Sequence, residues 1–206
     1  MIAQDLLVAL QGVSSEVAER ESADWPSFNC PIDSLVAVLK VLRDNHGYDM
    51  LVDATGMDNG VDASPRFTVI YHLLSTANHV YVRVAADCAD SENPVAPTVS
   101  GLWPGADWHE REAYDLLGIT YENHPDMRRI LMWDSYPHHP LRKDFPLAGH
   151  EDDLWDEEIR EETGTKVIPA PMAGGPFVSK SSNFEAQKEP RAKDESWNEK
   201  KEKPEG

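Results

Sequence analysis

Four prolines between Gly118 and Gly149, at positions 125, 137, 140 and 146, constrain this chain more than any other feature. Proline fixes φ and removes a backbone donor, so this stretch cannot hold a long helix or an inner strand. It is nevertheless apolar, carrying Tyr121, Met127, Ile130, Leu131, Met132, Trp133, Tyr136, Leu141 and Phe145. A loop this apolar needs a surface to lie on.

The upstream residues are expected to supply that surface. Residues 2–20 read as an amphipathic helix, with Ile2, Leu6, Leu7 and Leu10 on one face and Gly12 as a break. The Pro-punctuated stretch 25–31 reads as extended. Asp33 or Ser34 is placed to cap a second helix bearing Leu35, Val38, Leu39 and Leu42 and ending at 45–47. Residues 50–52 form a short strand candidate before the turn-rich stretch 55–60. Runs 67–74 and 79–85 read as a hairpin, since Val80, Val82 and Val84 alternate with Tyr81 and Arg83. A third helix is expected over 105–117, ended by Gly118. This order predicts an α+β fold, a mostly antiparallel sheet with helices packed on it, followed by an extended Pro-rich segment and a C-terminal tail. The organisation expected is a core domain over 1–118, a docking segment over 119–149 and an acidic, polar tail over 150–206.

Composition narrows the chemistry. Asp and Glu total 37 against 19 Lys and Arg, a net charge of −18 that opposes nucleic-acid backbones and anionic lipid. The bases Arg111, Arg128, Arg129, Arg142 and Lys143 cluster among acids, which fits specific ion pairing. Two cysteines, Cys30 and Cys88, exclude a disulfide framework and a self-contained iron–sulfur cluster, which takes about four thiolates. No segment approaches the ~20 apolar residues of a membrane span. The N-terminal MIAQDLLVALQG lacks a basic region and carries Asp5, so it does not read as a signal peptide.

Several catalytic patterns fail on geometry. His109-Glu110-Arg111-Glu112-Ala113 opens like a zinc-protease helix but has Ala113 where the second histidine belongs. Glu110 and Glu112 diverge by about 200° on a helix and cannot share an acid–base centre. His124, His138, His139 and His150 show no ligand spacing, so loop histidines bonded to backbone or solvent are expected and no metal site. There is no phosphate-cradling glycine loop, and Cys30 and Cys88 read as buried, inert thiols. What remains is a charged helix face, for which the simplest reading is i,i+4 pairing of Arg111 with Asp115. Trp103, Trp108, Tyr114, Leu116 and Leu117 crowd the same stretch, and charges packed among aromatics need partners, in this chain or another.

Over residues 103–147 the sequence WPGADWHEREAYDLLGITYENHPDMRRILMWDSYPHHPLRKDFPL resembles the 30-kDa-type subunit of the proton-pumping NADH:quinone oxidoreductase, respiratory complex I. The resemblance implies a non-catalytic α+β subunit of the peripheral arm, on the cytoplasmic side of the cell inner membrane and held there through the complex. It implies no cofactor in this chain, with FMN and iron–sulfur clusters in partner subunits. The partners implied are the large quinone-site subunit and neighbouring cluster-bearing subunits. Carried onto this chain, the signature falls on Glu110, Arg111, Glu112, Asp115, His124, Arg128, Arg129, Pro140, Leu141, Arg142, Lys143 and Asp144, as an ion-paired helix followed by a proline-stiffened strap. Three positions depart from the pattern: Asn123 and His138 stand where glycines are expected, and Leu117 where a phenylalanine is. Asn123 tolerates positive φ and His138 does so poorly, so the loop at 136–138 is expected to take its own path. The alternative is the equivalent subunit of a membrane-bound hydrogenase or ferredoxin-fed quinone reductase. A remoter one is a metal-dependent hydrolase using His124, His138 or His139 with Asp126 or Asp134.

Overall fold

Apolar periodicity builds the helices. The computed structural model describes residues 3–134 and 136–146, so the stretch expected to form the 150–206 tail lies outside the described residues. Helix α1 (Ala3–Gln11) buries Leu6 and Leu10 and stops at Gly12, well short of residue 20. The expected long helix is thus corrected. The chain turns at 12–17, and Ala18–Glu19 becomes strand β1, paired antiparallel with β2 (Ser27–Asn29). A 3-10 turn (Ile32–Ser34) leads into α2 (Leu35–His46), where Leu35, Val38, Leu39 and Leu42 lie on one fully buried stripe. Burying each such side chain is worth about 1.5–3 kcal/mol. Ser34 stands at the N-cap but makes no side-chain bond there, and α2 ends at Gly47 in the left-handed conformation.

Strands β3 (Met50–Asp58), β4 (Phe67–Ser75) and β5 (Val80–Asp87) form an antiparallel meander, with β4 and β5 joined as the expected hairpin. Strand β2 adds to β5 in parallel, giving a five-stranded sheet of order β1-β2-β5-β4-β3. The sheet is mostly antiparallel and the fold α+β, as the pattern predicts. Phe67, Val69, Tyr71 and Leu73 alternate into the core, where they share one buried cluster with the stripes of α1 and α2. Strand β3 runs through the stretch expected to be a turn. The reason is Gly56, whose missing side chain lets a helix lie against the strand: a Cβ there would sit 2.6 Å from Ile119 Cδ1 and 2.7 Å from Leu117 Cδ1.

That helix is α3 (Ala106–Leu117), ended by Gly118 at φ 75°. The next two strands are β6 (Val95–Pro97), which precedes α3, and β7 (Thr120–Glu122), which follows it. They pair in parallel as a small second sheet that strand propensity does not announce. Among the described residues, the non-glycines with positive φ are His79 and Asn123, so Asn123 takes the left-handed backbone it tolerates, while His138, which tolerates it poorly, does not adopt it. The described residues from 123 to 146 form no helix or strand. The described residues up to Asp144 make one compact unit. No helix of the described residues is long and apolar enough to cross a membrane.

Candidate functional site

A helix leaves its last carbonyls without intrahelical donors. In α3 these belong to Tyr114, Asp115, Leu116 and Leu117, and the segment after β7 supplies three of the four. Gly118 N–H closes onto Tyr114 O (2.8 Å). Asp115 O accepts Arg129 Nη1 (3.1 Å) and His139 Nδ1 (3.0 Å), an arrangement in which the imidazole nitrogen must be the donor. Leu116 O accepts the Leu141 backbone N–H (3.0 Å), and Leu117 O accepts Arg142 Nε (2.6 Å). Residues 128–144 are therefore a strap that caps the helix, with two guanidiniums at the negative end of its dipole.

The strap is pinned at both ends by a buried carboxylate. At the near end, Asp115 Oδ2 receives three successive backbone N–H groups, from Ile130 (3.0 Å), Leu131 (2.6 Å) and Met132 (2.9 Å). Its Oδ1 receives Arg129 Nη1 at 2.6 Å, and the other arm of that fork donates to Tyr136 O (2.6 Å) and His138 O (3.1 Å). Burial pushes the Asp115 carboxyl up, but these donors outweigh it and hold the group below its ordinary range. At the far end, Lys143 N–H donates to Asp58 Oδ2 (2.8 Å), and Arg66 bonds both Asp58 oxygens (3.2 and 3.0 Å) and Asp144 (2.9 Å). Asp58 is likewise pushed up by burial and, on balance, held low by Arg66 and the Lys143 and Gly60 amides. Arg142 lies between, its guanidinium 5.1 Å from the centre of the Phe67 ring.

The signature residues fall into three groups. Asp115, Arg129 and Arg142 form the helix–strap junction. Glu110 and His124 meet inside the core, His124 Nε2 standing 3.8 Å from Glu110 Oε2. Arg111, buried, faces Asp107 at 3.9 Å, donates to Arg128 O and lies over the Trp108 ring. The expected Arg111–Asp115 pair does not form, because Asp115 is engaged by the strap. The Arg128 side chain is exposed beside Asp126, and Glu112, Leu141 and the Lys143 side chain face outward. Pro140 is half-buried in the strap. Sequence reasoning missed Asp58 and Arg66, whose pairing depends on the β3–β4 register. It also missed Thr98, which bonds Glu110.

Other candidates disperse. His139 faces the Asp115 carbonyl, while the His124 side chain is buried beside Asp107 and Glu110 with its Nδ1 accepting the Asp126 N–H. Among the described residues, no group of three or more His, Cys, Asp or Glu is arranged to hold a metal ion. Cys30 and Cys88 are buried, and burial together with the Asp87 charge pushes them up to about 12 and about 11, which keeps them protonated.

Gly118 gives this junction a direct test. Its φ is left-handed, and a Cβ would stand 2.5 Å from Arg142 Nη2 and 2.7 Å from the His139 ring. Gly118→Ala is expected to lower stability by about 1–3 kcal/mol, measured as a lower urea midpoint, because backbone strain adds to displacement of the strap. An unchanged midpoint would show that the strap does not need this close approach.

Known proteins resemble this chain. A family model described as respiratory-chain NADH dehydrogenase, 30 Kd subunit, matches residues 28–151, reaching far upstream of the 103–147 signature. An NADH-quinone oxidoreductase subunit of Laribacter hongkongensis is 40% identical over 160 residues, 75% of this chain and 82% of that protein. The corresponding NADH-quinone oxidoreductase subunit of Phenylobacterium zucineum is 42% identical over 134 residues, 65% of this chain, and the match spans 63% of the relative's length. A chain of the membrane-bound sulfane sulfur reductase, an archaeal respiratory membrane complex, superposes with a TM-score of 0.58 at 17% identity, covering 79% of this chain and 91% of that one. At that identity the likeness is one of fold.

Proposed function

The chain belongs to the 30 kDa subunit family of respiratory-chain NADH dehydrogenases, and on that footing we propose that it is a non-catalytic subunit of the peripheral arm of an NADH:quinone oxidoreductase. The whole complex carries electrons from NADH to quinone, with FMN and iron–sulfur clusters held by partner subunits. Its role is to support the large quinone-site subunit on the cytoplasmic side of the membrane, to which it is attached through the complex. Residues 119–149 serve as the docking segment.

One observation carries the docking role. The strap turns Arg129, His139 and Arg142 inward onto the end of α3, while α3 and the strap turn large apolar side chains outward: Trp108, Leu131, Trp133 and Leu141. Exposed apolar groups on a rigidly braced surface mark an interaction site. Leu131 and Leu141 are 56% and 57% exposed, so Leu131→Asp with Leu141→Asp should shift the melting temperature of the full chain little. Placed against a partner, two carboxylates would be desolvated without counter-ions. Co-purification of a tagged chain with the membrane complex should then fall at least about thirtyfold, the size of a hot-spot loss. Normal assembly of the double variant would refute this docking face.

A further inference from the structure

Glu110 differs from the other two buried carboxylates of this site. Asp115 has Arg129 and Asp58 has Arg66. Glu110, wholly buried, has no arginine or lysine within 4 Å among the described residues; its basic neighbour is His124. The His124 Nδ1 accepts the Asp126 N–H (3.0 Å), which assigns the ring proton to Nε2, and that N–H faces the Asp107 backbone carbonyl at 3.3 Å rather than Glu110. The other titratable groups facing Glu110 add no positive charge. Asp107 on the same helix stands 3.4 Å from that Nε2, and Tyr121 of β7 and Tyr71 of β4 lie near enough to feel the Glu110 charge. A buried carboxylate without a permanent cation is costly, and the remaining route to neutrality is a proton.

A path for that proton is present. Glu110 Oε1 accepts the Val99 N–H (2.7 Å), and Oε2 meets the Thr98 hydroxyl at 2.5 Å. Thr98 Oγ1 in turn meets Ser100 Oγ at 2.8 Å. Both hydroxyl residues line an open groove whose other walls include Lys40, Arg43, Asp107 and Asn123. We propose that Glu110 is a reversible proton-binding site, loaded from this groove through the Ser100 and Thr98 hydroxyls, and that its occupancy reverses the direction of the hydroxyl pair.

When Glu110 is ionised, Thr98 donates to it and Ser100 donates to Thr98, so Ser100 presents lone pairs to the groove. On loading, a solvent proton binds Ser100 Oγ, the Ser100 hydrogen passes to Thr98 Oγ1 and the Thr98 hydrogen passes to Glu110 Oε2. One proton has moved inward and both hydroxyls are restored, now pointing the other way. Ser100 then turns an O–H into the groove. A partner carbonyl or carboxylate placed there favours the protonated state, so its docking takes up a proton by linkage. Burial, with Asp107 adding to it, pushes Glu110 up to about 7 against the Thr98 and Val99 bonds, so both states are populated near neutral pH.

The test is the Glu110 side-chain carboxyl carbon in the full chain, assigned through its own side-chain protons and followed by NMR against pH. The midpoint should lie near 7; one near the ordinary glutamate value of about 4.3 overturns the proposal. Thr98→Val removes a donor to the ionised form and should raise the midpoint by about half a pH unit or more; an unmoved midpoint overturns the relay. Glu110→Gln imitates the protonated side chain. Because the folded group is raised, its contribution is present below about pH 4.3 and lost as pH rises through about 7. The melting-temperature gap of Glu110→Gln over the parent should therefore widen across that window and stay flat above it. A constant gap counts against the site, and the carboxyl titration decides the matter if the glutamine variant does not fold.

Discussion

Arg129→Ala is expected to destabilise the full chain by about 3–5 kcal/mol, the range for breaking a buried ion pair from one side. The Arg129 side chain is 10% exposed and that of Asp115 not at all. Truncation strips Asp115 of its counter-ion while leaving it buried, and leaves the carbonyls of Tyr136 and His138 without their donor. Because one planar fork reaches all these acceptors, Arg129→Lys should recover only part of the loss: an ammonium cannot hold the same divergent geometry. Urea denaturation of the full chain measures the effect as a lower midpoint at unchanged slope. A loss below about 1 kcal/mol, the scale of an exposed pair, would mean that the junction is not the keystone described. In the complex the same substitution should reduce assembly, because the strap that presents Leu131, Trp133 and Leu141 loses its near anchor.

Acid should release the strap before it melts the sheet. Asp115 and Asp58 are both held below the ordinary aspartate value, so the unfolded chain binds more protons than the folded one in that window. Their stabilisation is complete above about pH 3.9 and is lost as pH falls through it toward their lowered folded values. Protonation of Asp115 removes its charged bonds to Arg129 and to three amides together; protonation of Asp58 frees the Lys143 amide. Hydrogen exchange gives the check. Protection of the Ile130, Leu131, Met132 and Lys143 amides should fall in acid while that of β4 and β5 persists, as for a separately opening unit. Simultaneous loss across strap and sheet would show instead that the strap is an inseparable part of the core. Glu110 titrates with the opposite sign at higher pH, so the two effects separate on one pH series.

Much of this architecture was legible because it is local. The apolar stripe of α2, the alternation of β5 and the glycines that end α2 and α3 are written within a few residues of where they act. The signature over 103–147 takes in α3 and the strap that caps it. Its charges did not name their partners, and the i,i+4 reading of Arg111 with Asp115 chose the wrong one. Helix spacing permits that pair, but three convergent amides and the Arg129 guanidinium bind Asp115 better than one flexible side chain on its own helix surface. The overlong first helix has a similar cause. Beyond Gly12, Ala18–Glu19 finds backbone partners at Phe28–Asn29 that no local pattern reveals.

By itself the sequence determined the class of fold, the family, and where apolar residues and prolines alternate after Gly118. Only the tertiary structure decided which surface that segment covers: the open end of α3, whose carbonyls lacked donors, and Asp58, 85 residues away in the chain from the amide it anchors. Periodicity and capping act within a turn or two and leave their mark in adjacent residues. The satisfaction of buried charges and helix ends is a condition on the whole packed molecule, and it is met by whichever donors the fold brings near.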